Sequence, residues 1–244
     1  MPQTPAGILA EMRSVNSSSP RLVWHGRDGR IELSGRVFDN WVAKSSNLLV
    51  DELDATDASR VAVDLPPHWK SLALAFACWQ VGALVVLSDD TASPAAGADI
   101  VLTSRAVPAV DPPGLLVCVA LGSLALAWDG PLPHGAVDFA AEVRSHGDVY
   151  LGQTGDDDAP LLDTGGRILT SRDLLASVTL PAGADGGADG PTLLLEPGTD
   201  LQQALATALA VWTQGGVLVL VEDGVPVTDR LLAGERVTAR LGTA

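Results

Sequence analysis

The chain reads as an α/β fold, with mainly parallel sheets and flanking helices. Two stretches carry that reading. Residues 60–87 and 192–221 each run from a short apolar strand through an apolar helix to a second short strand. A β–α–β unit of this spacing joins parallel strands by a right-handed crossover. The third observation is compositional: 47% apolar and 18% charged residues in a chain of 244 supply a sizeable core and exclude global disorder. One α/β domain over residues 1–244 is expected.

Taken in order, residues 1–20 are weakly patterned and expected to be loosely packed, with Ile8, Leu9 and Met12 making one short helical turn. Residues 22–25 and 30–33 flank a turn at Asp28-Gly29 and predict a β-hairpin. Ser34 offers a cap to a helix over 35–52, in which Phe38, Trp41, Val42, Ser45, Leu48 and Leu49 recur at helical spacing. A strand at 60–65 ends at Pro66-Pro67. In the helix 69–81 only Lys70, Ser71 and Gln80 are polar, so it must be covered on most sides. Gly82 suits its C′ position and 83–87 is the return strand. The most apolar run, 71–87, is broken by Gln80 and Gly82 and falls short of the ~20 residues of a membrane span.

Further strands are expected at 99–103 and 115–120, and a helix at 136–144. GDDD at 155–158 reads as a solvated surface turn, with cation binding the less economical reading of its three acids. Residues 160–163 form a short strand. Residues 168–175 form another that runs into a helix, with Ser171 as N-cap and Leu174 and Leu175 inward. PAGADGGADGP at 181–191 has nothing to fill a core and reads as a flexible loop. The second β–α–β unit comprises 192–196, 200–213 and 216–221. Asp200 or Thr199 caps its helix and Gly215-Gly216 closes it. A short helix at 230–234 and a strand at 236–241 finish the chain.

The net charge is −15, from 30 acidic against 15 basic residues. Nucleic acid and anionic membrane are therefore excluded as partners, since both require a basic footprint. Cys78 and Cys118 lie in apolar runs and read as buried thiols, over a disulfide or metal pair, which fits a reducing cytosol and a cytoplasmic protein. The N-terminus shows no secretory pattern. His25, His68, His134 and His146 are scattered, with no second ligand at metal spacing, so no metal site is expected. There is no G-x-S-x-G elbow, and capping explains Ser171 more simply than a Ser171–His146–Asp grouping. Trp24, Trp41, Trp69, Trp79 and Trp212 lie in or beside apolar runs and read as core, since basic residues do not interleave with them.

The order of pieces resembles the acyl-adenylate-forming enzymes: acyl-CoA synthetases, peptide-synthetase adenylation domains and luciferases. IELSGRVFDNWVAKSSNLL resembles the opening strand and helix of their N-terminal domain. SRVAVDLPPHWKSLALAFACWQVGALVVLSDD resembles the strand, proline turn, hydrophobic helix and return strand that follow, and GADIVLTS the next strand. APLLDT and RILTSRDLLASV flank the position of the family's phosphate loop. TLLLEPGTDLQQALATALAVWTQGGVLVLVED and DRLLAGERVTA resemble later segments. The match covers about residue 31 to the end, and it implies that family's N-terminal fold.

The departures fall on the chemistry. The family's Thr-, Ser- and Gly-rich loop ends in Pro-Lys-Gly and wraps the ATP phosphates with backbone N–H groups. Here only Thr164, Gly165, Gly166 and Arg167 stand between the flanking strands, a remnant of a cofactor-binding region that reads as a tight turn healing a deletion. Losing three charge-assisted hydrogen bonds, at roughly 1.5–3 kcal/mol each, weakens phosphate binding by about three orders of magnitude or more. After Pro197, where the family places an acyl-pocket histidine or aromatic, stands Asp200. The resemblance stops ahead of the family's adenine motif, ribose aspartate and lid lysine, and neither Lys44 nor Lys70 lies in a matching context. No catalytic residue and no cofactor is therefore expected.

The expectation is a non-catalytic relative that binds a protein partner or assembles with itself. The alternative is an acyl- or nucleotide-binding protein or enzyme with altered chemistry. In the helix 200–213, Ala204, Ala208 and Val211 widen the apolar stripe of Leu201, Leu205, Leu209 and Trp212. Such a face needs a cover, from the chain's own ends or from a second copy, and a homodimer is the favoured expectation.

Overall fold

The computed structural model describes residues 4–87, 97–105, 114–152, 159–182, 184 and 190–242. In chain order the elements are α1 (Pro5–Ser14), β1 (Pro20–Gly26), β2 (Gly29–Ser34), α2 (Gly35–Asp51), β3 (Arg60–Asp64), α3 (Trp69–Val81), β4 (Leu84–Leu87), β5 (Ile100–Thr103), β6 (Leu115–Cys118), β7 (Val137–Asp138), α4 (Phe139–Glu142), a 3₁₀ turn (Val143–Ser145), β8 (Leu162–Thr164), β9 (Arg167–Leu169), α5 (Ser171–Ala176), β10 (Thr192–Leu195), α6 (Leu201–Trp212), β11 (Val217–Val221), α7 (Asp229–Gly234) and β12 (Ala239–Leu241). The chain divides into two compact units: Met1–Asp39, Pro66–Leu72 and Ser171–Ala244 form one, and Asn40–Leu65 and Ala73–Thr170 the other.

The first unit holds a five-stranded sheet in the order β12-β10-β11-β1-β2. The predicted hairpin is its antiparallel edge, with Leu22 opposite Leu33 and His25 opposite Arg30. β1 also runs parallel to β11, and β10 lies parallel to both β11 and β12. Central strands are flanked on both sides, so Leu22, Val23 and Trp24 of β1 are consecutively buried, where a half-exposed strand would alternate. Val225, Val227, Leu231, Leu232 and Val237 pack on Val23, Leu194, Val219 and Val221.

The N-terminal segment is more ordered than the expected single loose turn. α1 has ten residues, Pro5 in its first turn, and the Gly7 N–H donating to the Thr4 hydroxyl at 3.1 Å. Ile8, Leu9 and Met12 are buried. α6 is capped as predicted, the Asp200 carboxylate accepting from the Gln203 N–H at 2.7 Å. Its apolar stripe is closed by its own chain. Ala204 to Trp212 are all buried, and α1 and α5 pack against the helix. Of the two covers expected for this face, the chain's own N-terminal segment lies on it, together with α5. Trp212 donates its indole N–H to the Arg21 carbonyl at 2.8 Å, with its ring 4.8 Å from Phe38.

The second unit holds a seven-stranded sheet in the order β7-β6-β5-β3-β4-β8-β9. All pairings are parallel except the β8–β9 hairpin. The portion of α3 in this unit is as buried as its composition requires: Phe76 is fully buried, 4.9 Å from the Trp79 ring, and Trp79 donates to the Leu161 carbonyl at 2.7 Å. Gln80, polar in an apolar helix, accepts from the Ser46 hydroxyl at 2.9 Å. Cys78 and Cys118 are free and buried, and burial pushes the Cys78 thiol up to about 12.

The helix predicted over 136–144 is much shorter. Val137 and Asp138 pair with β6, and α4 starts only at Phe139. Asp138 sets that boundary: its carboxylate accepts from the N–H groups of Ala140 at 3.0 Å, Ala141 at 3.3 Å and Trp128 at 2.8 Å. The helix expected to be capped by Ser171 begins at Ser171 itself. The acidic turn at 155–158 and most of the loop at 181–191 lie outside the described residues. Among the described residues no helix is long and apolar enough to cross a membrane.

Candidate functional site

The sequence singles out Thr164–Arg167, and the structure brings these four residues together as a two-residue hairpin. Thr164 pairs with Arg167, with Gly165 at φ +61° and Gly166 at φ +87° between them. A turn of this kind needs positive φ at both central residues, which is why two glycines suffice to join the strands. The hairpin is anchored by Asp163, a buried acid on β8. One oxygen of its carboxylate accepts the Gly166 N–H at 2.9 Å and the other accepts from the Arg60 guanidinium at 2.7 Å. An N–H that would face a phosphate oxygen in a wrapping loop is held here by the chain's own anion.

Asp163 and Arg60 were not singled out from the sequence. The signal for them was a charge inside an apolar strand, LLDT and RVAV, since a carboxylate is buried only with a partner.

The second feature follows from topology. From β3 the chain moves to β4 on one side of the sheet and then to β5 on the other side of β3. The carboxyl ends of β3 and β5 thus flank a switch point, the place where open α/β sheets bind ligands. Asp64 ends β3, and Thr103 ends β5. The Thr103 hydroxyl donates to Asp64 at 2.8 Å and the Arg105 Nε donates to the same carboxylate at 2.7 Å, with Arg105 Nη2 on its second oxygen. The Arg105 N–H donates to the Thr103 hydroxyl at 3.1 Å. Asp64 holds the guanidinium charged, raising its pKa further, and the cluster neutralises itself. Residues 88–96 and 106–113 lie outside the described residues.

Both lysines serve the fold. Lys44 donates to the His146 carbonyl at 2.5 Å and pairs with Asp148 at 2.7 Å. Lys70 is buried, 5.3 Å from the Trp69 ring centre. His146 bonds Glu52 at 3.0 Å, in a different unit from Ser171. Among the described residues no group of three His, Cys, Asp or Glu side chains is placed to hold a metal.

The architecture is that of the acyl-CoA synthetases. An acyl-CoA synthetase of Brucella canis matches with a TM-score of 0.71 at 18% identity, over 96% of this chain and 47% of that enzyme. A fatty acyl CoA synthetase of Mycobacterium tuberculosis matches at 0.64 and 15% identity, over 96% of this chain and 48% of its own. An acetoacetyl-CoA synthetase of Streptomyces lividans matches at 0.71 and 14% identity, over 98% and 42%. The chain thus spans about half the length of these enzymes, and the likeness is one of fold. No family model matches the sequence. A TIGR03089 family protein of Mycobacterium tuberculosis is 34% identical over 226 residues, 83% of this chain and 90% of the relative. The chain belongs to the TIGR03089 family.

Proposed function

We propose that this protein is a non-catalytic relative of the acyl-CoA synthetases that acts by binding another protein. The observation that carries the reading is the Gly165-Gly166 turn, tied by Gly166 to the Asp163 carboxylate. Such a turn is too short to wrap a triphosphate, and its Gly166 N–H is already taken by the Asp163 carboxylate, which Arg60 neutralises. Binding of a protein is supported by apolar side chains left in water on two segments of the second unit: Leu124, Leu126 and Leu132, and Val149 and Leu151, the last 92% exposed. Carboxylate-dependent exchange of pyrophosphate into ATP tests the first half. No exchange above a protein-free control is expected, and exchange by protein free of contaminating synthetase overturns the reading.

A second reading, a binder of acyl or nucleotide ligands with altered chemistry, is favoured by the Asp64–Thr103–Arg105 cluster at the switch point. A thermal-shift series with ATP, AMP, CoA and acyl chains separates the two. A ligand of the native state raises the midpoint by mass action, and a scaffold responds to none of them.

A further inference from the structure

A cleft of about 600 Å³ lies within the first unit, lined among others by Glu11, Val15, Arg21, Val23, Val217 and Arg236. Its lining also includes Pro20 and Thr192, the first residues of β1 and β10, and Val217, the first of β11. These three lie at the amino ends of the parallel strands, and Arg30 and Glu235, beside His25, carry the lining toward the other end of β1. The cleft shares no lining residue with the hairpin or the switch-point cluster described above, and nothing in the proposed function depends on it.

The charges around it are unequally satisfied. Arg30 is spent: it donates to Glu235 through Nε at 2.7 Å and Nη2 at 2.8 Å, and to Glu32 at 2.5 Å, while His25 bonds Glu235 at 2.8 Å. Arg21 differs. It is only 7% exposed, and its side chain's one hydrogen bond among the described residues goes from Nη1 to the Gly215 carbonyl, a neutral group. No carboxylate of the described residues lies within ion-pair distance of it. Burial lowers its pKa, and the field of Glu11 offsets that only in part. A buried guanidinium that pairs with no carboxylate among the described residues is costly. Arg236, also on the cleft wall, is held at φ +54°, a left-handed conformation that an arginine adopts at a cost.

We propose that this cleft binds a small organic carboxylate, with its charge on Arg21 and its apolar body against Val15, Val23 and Val217. The guanidinium fork matches a planar carboxylate. The valines of the wall offer a strongly hydrated phosphate no partner, so a ligand with an apolar body is favoured over it. The volume suits an organic ligand with a body of its own, beyond a simple ion.

Isothermal titration of the whole protein with acetate, hexanoate, benzoate and phenylacetate, and with benzamide and inorganic phosphate as controls, tests this. At least one of the larger carboxylates binds saturably, and more tightly than acetate, benzamide or phosphate. Arg21→Gln weakens that binding by about tenfold or more, the loss expected for a charge-assisted hydrogen bond. Glu11→Gln, a change at a partly exposed residue, removes a competing negative charge and tightens it severalfold. Binding of none of the carboxylates, equal binding of benzamide, or preference for phosphate overturns the proposal. Should Arg21→Gln not fold, Glu11→Gln decides, because unchanged or weaker binding in that variant also overturns it.

Discussion

Asp163→Ala removes the anchor of the Gly165-Gly166 hairpin, and its cost can be worked out from the contacts. The carboxylate is 10% exposed and accepts one hydrogen bond from a backbone N–H and one from a guanidinium. Two charge-assisted bonds at about 1.5–3 kcal/mol each set an upper bound near 3–6 kcal/mol. Both donors, however, recover water. Arg60 is 38% exposed and Gly166 lies on the surface, so the ion-pair share falls to about 1 kcal/mol and the total to about 2–3. Asp163→Asn keeps an oxygen for the Gly166 N–H and gives up only the charge, so it costs about 1 kcal/mol. Urea denaturation at pH 7, followed by far-UV circular dichroism, measures both. Losses below about 0.5 kcal/mol for both variants, the level of a bland surface change, refute the claim that Asp163 holds the turn. So does an Asn variant less stable than the Ala variant.

Phe76→Ala leaves a cavity beside Trp79 and costs about 3–5 kcal/mol in chemical denaturation; a loss under 1 kcal/mol contradicts the burial of α3. Glu235 has its pKa held below the ordinary 4.5, chiefly by hydrogen bonds from Arg30 and then from His25. It therefore stabilises the fold above pH 4.5, and that contribution is lost as pH falls through its depressed folded value. The stability gap between the parent and Glu235→Gln should close as the pH falls below 4.5 and through that depressed value, and a gap that widens on acidification contradicts the assignment. Cys78, with its thiol pushed up to about 12, and Cys118, also buried, should resist a thiol reagent in the native state and react in denaturant; rapid native labelling of either places it wrongly.

Much of the fold was legible in the sequence because its strongest signals are local. The helix at 69–81 has its predicted bounds, since proline at one end and Gly82 at φ +92° at the other are punctuation that tertiary packing does not move. The predicted β–α–β units pair in parallel. The stretch at 136–144 failed for a reason of the same kind, one residue earlier in the hierarchy. Asp138 was read as a helix residue, but its carboxylate is more valuable to the backbone N–H groups of Trp128, Ala140 and Ala141 than to solvent, and the helix shrinks accordingly. The α6 stripe was read correctly as in need of a cover. The chain's own N-terminal end was one of the two covers expected for it, and the less favoured, because the helical signal of α1, PAGILAEMRS, is weak until α6 is there to pack on.

The charged sites were less legible because their meaning is relational. A single acid at the end of an apolar strand looks the same in Asp64 and Asp163, yet one faces a crossover partner on the neighbouring strand and the other a turn three residues on. Arg21 is the sharper case. In the sequence it is one of fifteen basic residues beside a proline, and nothing marks it out from Arg27 or Arg30. Only the parallel pairing of β1 with β11 carries it under the end of α6, where Arg30 has its glutamates and Arg21 has a carbonyl. A buried cation that pairs with none of the carboxylates among the described residues leaves its charge for something else to neutralise. That imbalance, more than the volume of the cleft, is why a carboxylate is the ligand to look for there.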